Sequence, residues 1–282
     1  MRRLGLIGGM SWVSTRTYYT HLNAIVQKRT DPRRSASLLI ESLDFGLLYR
    51  MQTAEEWERA AQVLTDSARR LESGGAEALI ICANSMHRVY DQVASSVRIP
   101  ILHIAECVGQ RMAQDKVKTA ALIGSRNVMT ESFYRRRLVA HGVDLLPPDL
   151  ENVEVLDRII YGELMLGKAT RDAERELKTM LTNKERDGAR AIVLANTELE
   201  AVVNVDANVL PIYDSTRIHA EAAAEWMLED ELPRQPVEPE PVAEPEPAEA
   251  AAAEPVADAE PAPAGNTIRV MPRDDAEAPV AE

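Results

Sequence analysis

Short, continuous apolar runs alternate along the chain with longer stretches of helical periodicity, and this alternation limits the possible folds. The runs that we predict to be buried strands are residues 4–7, 37–41, 78–82, 101–103, 119–123, 191–194 and 210–213. Between them, the stretch from Ala54 to Leu71 places Trp57 and Leu64 on one helical face, and Gly74-Gly75 ends it. Apolar strands that alternate with helices indicate an α/β fold with parallel sheets flanked by helices.

A weak internal repeat divides this pattern into two parts. The segment GAEALIICAN at 75–84 matches GARAIVLANT at 188–197, and LIGG at 6–9 matches LIGS at 122–125. The offsets are 113 and 116 residues, which are nearly equal. They predict two similar α/β halves, residues 1–116 and 117–232, with an active-site cleft between them.

The last 50 residues, 233–282, differ from the rest in composition. They hold 11 of the 16 prolines and 12 acidic but only three basic residues, and so carry −9 of the formal net charge of −13. A Pro/Ala/Glu-rich segment cannot bury enough apolar surface to offset its ordering entropy. We therefore predict a disordered acidic tail after a folded body of 232 residues, which is long enough for a substantial core.

Composition also argues against several classes of protein. A body charge near −4 provides no basic surface for nucleic acid, and no apolar run reaches the roughly 20 residues needed to cross a membrane. The two cysteines, Cys82 and Cys107, have no histidine at zinc-ligand spacing. We expect neither a disulfide framework nor a metal site, and a cytoplasmic location is the default.

Small polar residues follow four of the predicted strands directly. These segments are GGMS at 8–11, ANSMH at 83–87, GSRN at 124–127 and ANTE at 195–198. Each could simply cap a helix. Because the carboxyl ends of parallel strands meet at one edge of a sheet, four such segments together favour a site for a carboxylate, formed by backbone N–H groups and polar side chains.

The motifs GLIGGMSW at 5–12, NSMH at 84–87, PILHI at 100–104, TE at 197–198 and DST at 214–216 share their spacing with a known family. Over residues 1 to about 228 the chain resembles the aspartate/glutamate racemases, most closely the bacterial branch with broad amino-acid specificity. The resemblance implies cofactor-independent Cα proton transfer on a small-molecule amino acid or carboxylate. Family members are often homodimers, for which the sequence itself offers no separate argument.

The resemblance also implies two proton carriers, usually cysteines, on opposite faces of the substrate Cα. The family pattern places one just before Asn84 and the other just before Thr197, at Ala83 and Asn196. Alanine has no proton to exchange, and a carboxamide is neither a useful acid nor a useful base near neutral pH. Neither face of a bound substrate is therefore expected to meet its usual catalyst.

Substrate contacts are implied at positions where the family pattern is better kept. These are Met10, Gln52, Asn84, Ser85, Ser125, Thr197 and Glu198. Ser125 stands where a threonine is usual, and Val128 replaces a further threonine. The resemblance assigns Glu198 to the substrate amine, although a carboxylate there could also act as a base.

Two residues near the motif are candidate substitutes for the missing catalysts. Cys82 precedes Ala83 on a strand and is expected to point to the opposite face, into the core. His87 could face the cleft or orient a loop. Three hypotheses stay open: an active racemase, a catalytically silent relative that binds an amino acid or small carboxylate, and a different cleft reaction such as carbon–carbon cleavage.

Overall fold

The computed structural model describes residues 1–49, 51–204 and 208–231, so the predicted tail at 233–282 lies outside the described residues. Within these ranges, two four-stranded parallel sheets form the framework. The strands are β1 (Leu4–Gly8), β2 (Leu38–Ser42), β3 (Ala78–Ile81), β4 (Ile101–Leu102), β5 (Thr119–Gly124), β6 (Asp144–Leu145), β7 (Ile192–Ala195) and β8 (Ile212–Asp214). The predicted α/β fold with parallel sheets is confirmed.

Helices follow most of the strands and cover both sheets. The α-helices are α1 (Trp12–Arg29), α2 (Ala54–Ser73), α3 (Tyr90–Ala94), α4 (Ile104–Gln114), α5 (Arg126–Thr130), α6 (Ser132–Ala140), α7 (Val153–Gly162), α8 (Arg171–Arg186) and α9 (Ser215–Leu228). Directly after β3 and β7 the helical segments are 3₁₀ turns, Ser85–Val89 and Thr197–Ala201. Further 3₁₀ turns span Phe45–Leu47 and Leu164–Leu166.

The two sheets have the same topology. The strand order is β2-β1-β3-β4 in the first sheet and β6-β5-β7-β8 in the second. The repeated segments therefore occupy equivalent central strands, since β1 corresponds to β5 and β3 to β7. The first sheet lies before the predicted boundary at residues 116 and 117 and the second after it, while one compact unit, Met1–Arg234, contains both.

The strand ends differ from the sequence predictions for local reasons. β8 begins at Ile212 rather than at residue 210, because Pro211 has no N–H to contribute to the ladder and only its carbonyl oxygen accepts, from Ile192. The two-residue edge strand β6 was not predicted. One of its residues, Asp144, is exposed, so the segment lacks the continuous apolar run that marks the buried strands.

Helix α9 packs on both sheets: Ile218 joins the core cluster of the second sheet, and further buried side chains cover the first. α9 contributes four buried side chains, Ala220, Ala223, Ala224 and Met227, to the cluster that covers one face of that sheet. The other buried members of this cluster are Leu4 and Leu6 of β1, Ala78 and Ile80 of β3, Cys82, and Tyr18 and Leu22 of α1. The backbone N–H of Arg2 donates to the carbonyl oxygen of Met227 at 2.9 Å, which ties the start of the chain to the end of α9.

No helix within the described ranges is long and apolar enough to cross a membrane.

Candidate active site

A cavity of about 660 Å³ lies between the halves and is lined by residues that follow β1, β3 and β7. Six predicted substrate contacts line it: Met10, Gln52, Asn84, Ser85, Thr197 and Glu198. Both predicted catalytic positions, Ala83 and Asn196, also line it. Ser125 does not; its Oγ lies 2.8 Å from Oδ1 of the neighbouring Asn127, which does reach the cavity.

The loop after β1 requires a glycine to bring its polar residues to the cavity. Gly9 has a φ of 78°, and a Cβ at this position would lie 2.1 Å from the carbonyl oxygen of Leu43. The turn is followed by Ser11, whose side chain caps α1 by accepting from the backbone N–H of Ser14. Met10 and Ser14 thereby reach the cavity lining.

Asn84, directly after β3, is the most informative residue of the site. Its side chain is buried, with 3% of its surface exposed, and makes no cap hydrogen bond to the 3₁₀ turn that follows. Neither Oδ1 nor Nδ2 has a hydrogen-bond partner among the described residues. Because buried polar side chains almost always have partners, a carboxamide of this kind in a cavity wall indicates a binding group for a ligand.

The loop after β7 supplies a second group of polar side chains. Asn196, Thr197 and Glu198 are all buried, and Oδ1 of Asn196 has no partner among the described residues. Oε1 of Glu198 accepts a hydrogen bond of 2.5 Å from the hydroxyl of Ser14. No cationic side chain in the described ranges forms an ion pair with Glu198, so its buried charge suits a ligand ammonium group.

The loop after β1 leads into the long helix α1, but the helical segments after β3, β5 and β7 are short. The 3₁₀ turns after β3 and β7 and the helix α5 each contain five residues. The aligned peptide dipoles that strengthen an anion site at a long helix are therefore largely missing at these three positions. There the predicted carboxylate site depends on side chains such as Asn84 more than on helix N-termini.

Cys82 lies outside the cavity lining. Its side chain is 1% exposed and packs in the core cluster that includes Tyr18 and Leu22. Burial raises the pKa of the Cys82 thiol far above its usual value, so the group stays protonated. Cys107 is buried on α4, and burial raises its pKa to about 12.

His87 also lies outside the lining, because the main chain engages both of its ring nitrogens. Nε2 accepts a hydrogen bond of 3.2 Å from the N–H of Ile104, and Nδ1 donates to the carbonyl oxygen of Ala83 at 2.9 Å. Burial lowers the pKa of His87 to about 4, so the ring is neutral near pH 7. This geometry favours the interpretation that His87 orients the loop over the one in which it faces the cleft.

Two further histidines pack against His87 behind the loop. The ring centroids of His87 and His103 are 4.5 Å apart, and those of His87 and His219 are 5.9 Å apart. His219 accepts from the hydroxyl of Tyr18 at 2.8 Å and donates to the carbonyl oxygen of Leu102 at 3.1 Å. Burial lowers the pKa of His219 to about 3 and that of His103 further still, so this buried support is uncharged.

An ion pair connects the halves at the side of the cavity. The guanidinium of Arg88 lies 4.4 Å from the ring centroid of Trp57 and donates to Glu131 at 2.8 Å. Arg88, Trp57 and Glu131 all line the cavity. The sequence did not predict the contacts of Arg88, or the hydrogen bond between Ser14 and Glu198. Charged and polar residues on a helix are usually solvated, and no local pattern distinguishes these residues from the rest.

The chain is similar to known proteins over most of the body. The family model described as Asp/Glu/hydantoin racemase matches residues 7–223. A candidate Asp/Glu racemase from Yersinia pestis is 36% identical, with a TM-score of 0.73, and the match covers 81% of this chain and 100% of the other. An aspartate racemase homologue from Pyrococcus horikoshii OT3 is 28% identical, with a TM-score of 0.71, over 80% of this chain and 99% of the other.

More distant relatives share less of the sequence. The broad-specificity amino-acid racemase RacX of Bacillus subtilis is 22% identical over 167 residues, which are 59% of this chain and 72% of that protein. The glutamate racemase of Francisella tularensis, whose structure is a complex with D-glutamate, is 14% identical with a TM-score of 0.58. That match covers 81% of this chain and 82% of the other, and it shows a shared fold.

Proposed function

Because the chain belongs to the Asp/Glu/hydantoin racemase family, we propose that its cavity binds an amino acid and that it does so without racemising it. One observation carries the proposal. The carboxamide of Asn84 is buried in the cavity wall, and neither of its polar atoms has a partner among the described residues; within the same ranges, Glu198 is a buried cavity carboxylate that forms no ion pair. The carboxylate of an amino acid would supply an acceptor for Asn84, and its ammonium group would supply a cation for Glu198.

Each end of an amino acid matches one of these groups. Nδ2 of Asn84 donates to a ligand carboxylate, and charge-assisted hydrogen bonds of this kind are stronger than neutral ones. The carboxylate of Glu198, oriented by Ser14, pairs with the ligand ammonium. The glutamate racemase of Francisella tularensis, which shares this fold, was solved with D-glutamate and so lends the ligand class further support.

The cavity is less well suited to racemisation. A two-base mechanism needs an acid or base on each face of Cα, and Ala83 and Asn196 occupy the two positions. Neither thiol of the chain lines the cavity, and both are buried and protonated. His87 uses both ring nitrogens to hold the loop, so it does not replace either member of the missing pair.

Glu198 supports a second candidate function, proton exchange from one face only. Its carboxylate is buried in the cavity lining, two residues after Asn196. No other buried titratable residue of the described lining is as close in sequence to Ala83 or Asn196. A single base can remove and return a proton on the same face. The result is exchange of the Cα proton with solvent, with no change of configuration.

Calorimetry on the full chain tests binding. Each free amino acid is compared with its N-acetyl derivative, which lacks the ammonium, and with its amide, which lacks the carboxylate. We expect either blocked form to bind at least tenfold more weakly than the free amino acid. Equal affinity for a free and a blocked form, or no binding by any amino acid, would overturn the proposal.

Incubation in D₂O separates the two candidate functions. Mass spectrometry detects deuterium at Cα, and chiral chromatography detects inversion. Binding alone gives neither signal, and one-face exchange by Glu198 gives deuterium without inversion. Inversion by the unmodified protein would show that a second proton carrier is present.

A further inference from the structure

The charges around the cavity bear on which amino acids it takes. Three arginines within the described ranges line it, and each is paired with at least one carboxylate. The pairs are Arg88–Glu131, Arg126–Glu154, Arg126–Asp157, Arg158–Glu163 and Arg158–Glu176. Among the residues that the structure describes, the lining contains these three cations and four acidic residues, so this part of it has no net positive charge.

This balance disfavours a ligand with a second carboxylate. A side-chain carboxylate of aspartate or glutamate would have to compete with resident acids, because each of these three guanidinium groups already has a carboxylate partner. Arg88 has one carboxylate partner, Glu131, and its guanidinium also lies against the ring of Trp57. A ligand with a cationic side chain, such as lysine, is also disfavoured. Of the four acids in the described lining, Glu131, Glu154 and Asp157 are already paired with arginines.

Apolar side chains form much of the remaining wall. Leu48 and Met86 are almost fully buried, and Trp57 is 7% exposed. Phe45 of the first half and Tyr161 of the second also line the cavity, and Tyr49 contacts both rings edge to face, at centroid distances of 5.3 and 5.7 Å. An aromatic surface thus crosses from one half to the other.

The cavity is also large for a short acidic side chain. Cavities of about 300–1,000 Å³ hold drug-sized ligands, and this one has about 660 Å³. Methionines at positions 10, 51, 86 and 165 contribute to the wall. Methionine is flexible and polarisable, so such a wall adapts to apolar groups of different shape.

We infer that the site is selective for amino acids with a large uncharged, apolar side chain, such as methionine, leucine or phenylalanine, over aspartate and glutamate. The inference rests on the proposed function, since it assumes that Asn84 and Glu198 hold the α-carboxylate and the ammonium. It adds that the side chain lies on the apolar wall and makes no ion pair. Burial of such a side chain favours binding by about an order of magnitude or more.

Calorimetry with both enantiomers of methionine, leucine, phenylalanine, aspartate, glutamate and lysine tests the inference on the full chain. We expect the best apolar amino acid to bind at least tenfold more tightly than aspartate, glutamate or lysine. Tighter binding of a charged amino acid would overturn the inference and leave the proposed function intact. Binding of none of them would instead remove the proposed function on which it rests.

A double variant tests the part played by the paired arginines. Glu154→Gln with Asp157→Asn removes both carboxylate partners of Arg126 and leaves its guanidinium unpaired in the lining. We expect this variant to bind glutamate at least tenfold more tightly than the parent does, with little change for methionine. Glu174→Gln with Glu185→Gln, on α8 and outside the lining, makes the same change in net charge and is the matched control.

Comparison of glutamate binding by the two double variants decides whether the pairing of Arg126 excludes acidic ligands. A gain for glutamate in the first variant alone supports the inference. An equal gain in both would mean that overall charge governs binding, and no gain in either would mean that the pairing of Arg126 does not exclude acidic ligands. Either result contradicts the inference.

Discussion

The hydroxyl oxygen of Ser14 lies 2.5 Å from Oε1 of Glu198, although the two residues are 184 positions apart in the chain. Ser14 belongs to the first turn of α1, and Glu198 follows β7 in the other half. The bond orients one carboxylate oxygen of a buried acid inside the cavity lining. It also makes the geometry of the site depend on contact between the halves.

Glu198→Gln should show whether amino-acid binding needs the negative charge of Glu198 or only the shape of its side chain. A carboxamide keeps the acceptor oxygen for Ser14 but loses the negative charge, so we expect amino-acid affinity to fall at least tenfold. The melting temperature should stay equal or rise, because the buried carboxylate forms no ion pair with any described residue. Calorimetry and a thermal melt measure both quantities, and a large loss of stability with unchanged affinity would contradict the role of Glu198.

Asn84→Ala should weaken binding without weakening the fold. The carboxamide contributes about 1.5–3 kcal/mol to binding if it donates to a ligand carboxylate, which corresponds to at least a tenfold loss of affinity. It makes no hydrogen bond within the described protein, so its removal forfeits none on folding. Asn183→Ala, at an exposed position on α8, is the control and should change neither affinity nor melting temperature.

Restored thiols should restore proton transfer. Asn196→Cys alone should give at most Cα exchange of one enantiomer, because the opposite face still has alanine. Ala83→Cys with Asn196→Cys should bring back racemisation, by far more than the sum of the single changes, because the two groups act as a unit. Chiral chromatography with each enantiomer measures this. A double variant that binds an amino acid but does not racemise it would show that the thiols are misplaced.

The buried histidines should make the fold sensitive to mild acid. The pKa of His87 is lowered to about 4 and that of His219 to about 3, and that of His103 is lowered too. In the folded protein these rings are neutral, whereas unfolded histidine takes up a proton below about pH 6.5. Their contribution to stability is therefore complete above about pH 6.5 and is lost as the pH falls toward 4.

His103→Asn tests whether the buried histidines lower the stability of the fold as the pH falls. Asparagine keeps an acceptor for the N–H of Ala105, which His103 caps, but cannot titrate. Urea titrations give the free energy of unfolding, which should fall between pH 6 and 5 in both proteins. The slope in the variant should be smaller than that in the parent by about 1 kcal/mol per pH unit. His21→Asn should leave this slope nearly unchanged, since a hydrogen bond to Glu200 raises the pKa of His21. Equal slopes for His103→Asn and the parent would count against the histidine cluster.

Removal of residues 233–282 should leave the body intact. The prediction comes from sequence alone, because a Pro/Ala/Glu-rich segment has little apolar surface to add to a core. We expect a chain that ends at residue 232 to melt at the same temperature as the full chain. A drop of several degrees in a scanning calorimeter would mean that the tail packs on the body.

The fold could be predicted from sequence because burial leaves a local pattern. The run at 4–7 and the strand Leu4–Gly8 differ by one residue, since a strand covered on both faces must be apolar throughout. The resemblance likewise located Ala83 and Asn196 in the cavity lining. Contacts such as Arg88 on Trp57 could not be predicted, because they join helices from distant segments and neither side chain is unusual in its own helix.

The position of α9 has a consequence for the order in which the protein folds during synthesis. The ribosome makes the chain from its N-terminus, so all four strands of the first sheet emerge long before Ala220 and Met227, which cover one of its faces. Until then Leu6 and Ile80 lack part of their apolar cover, and the first half alone is expected to be exposed to aggregation. Helix α9 therefore completes the core of the half that was made first, and stable folding of either half should wait for nearly the whole body.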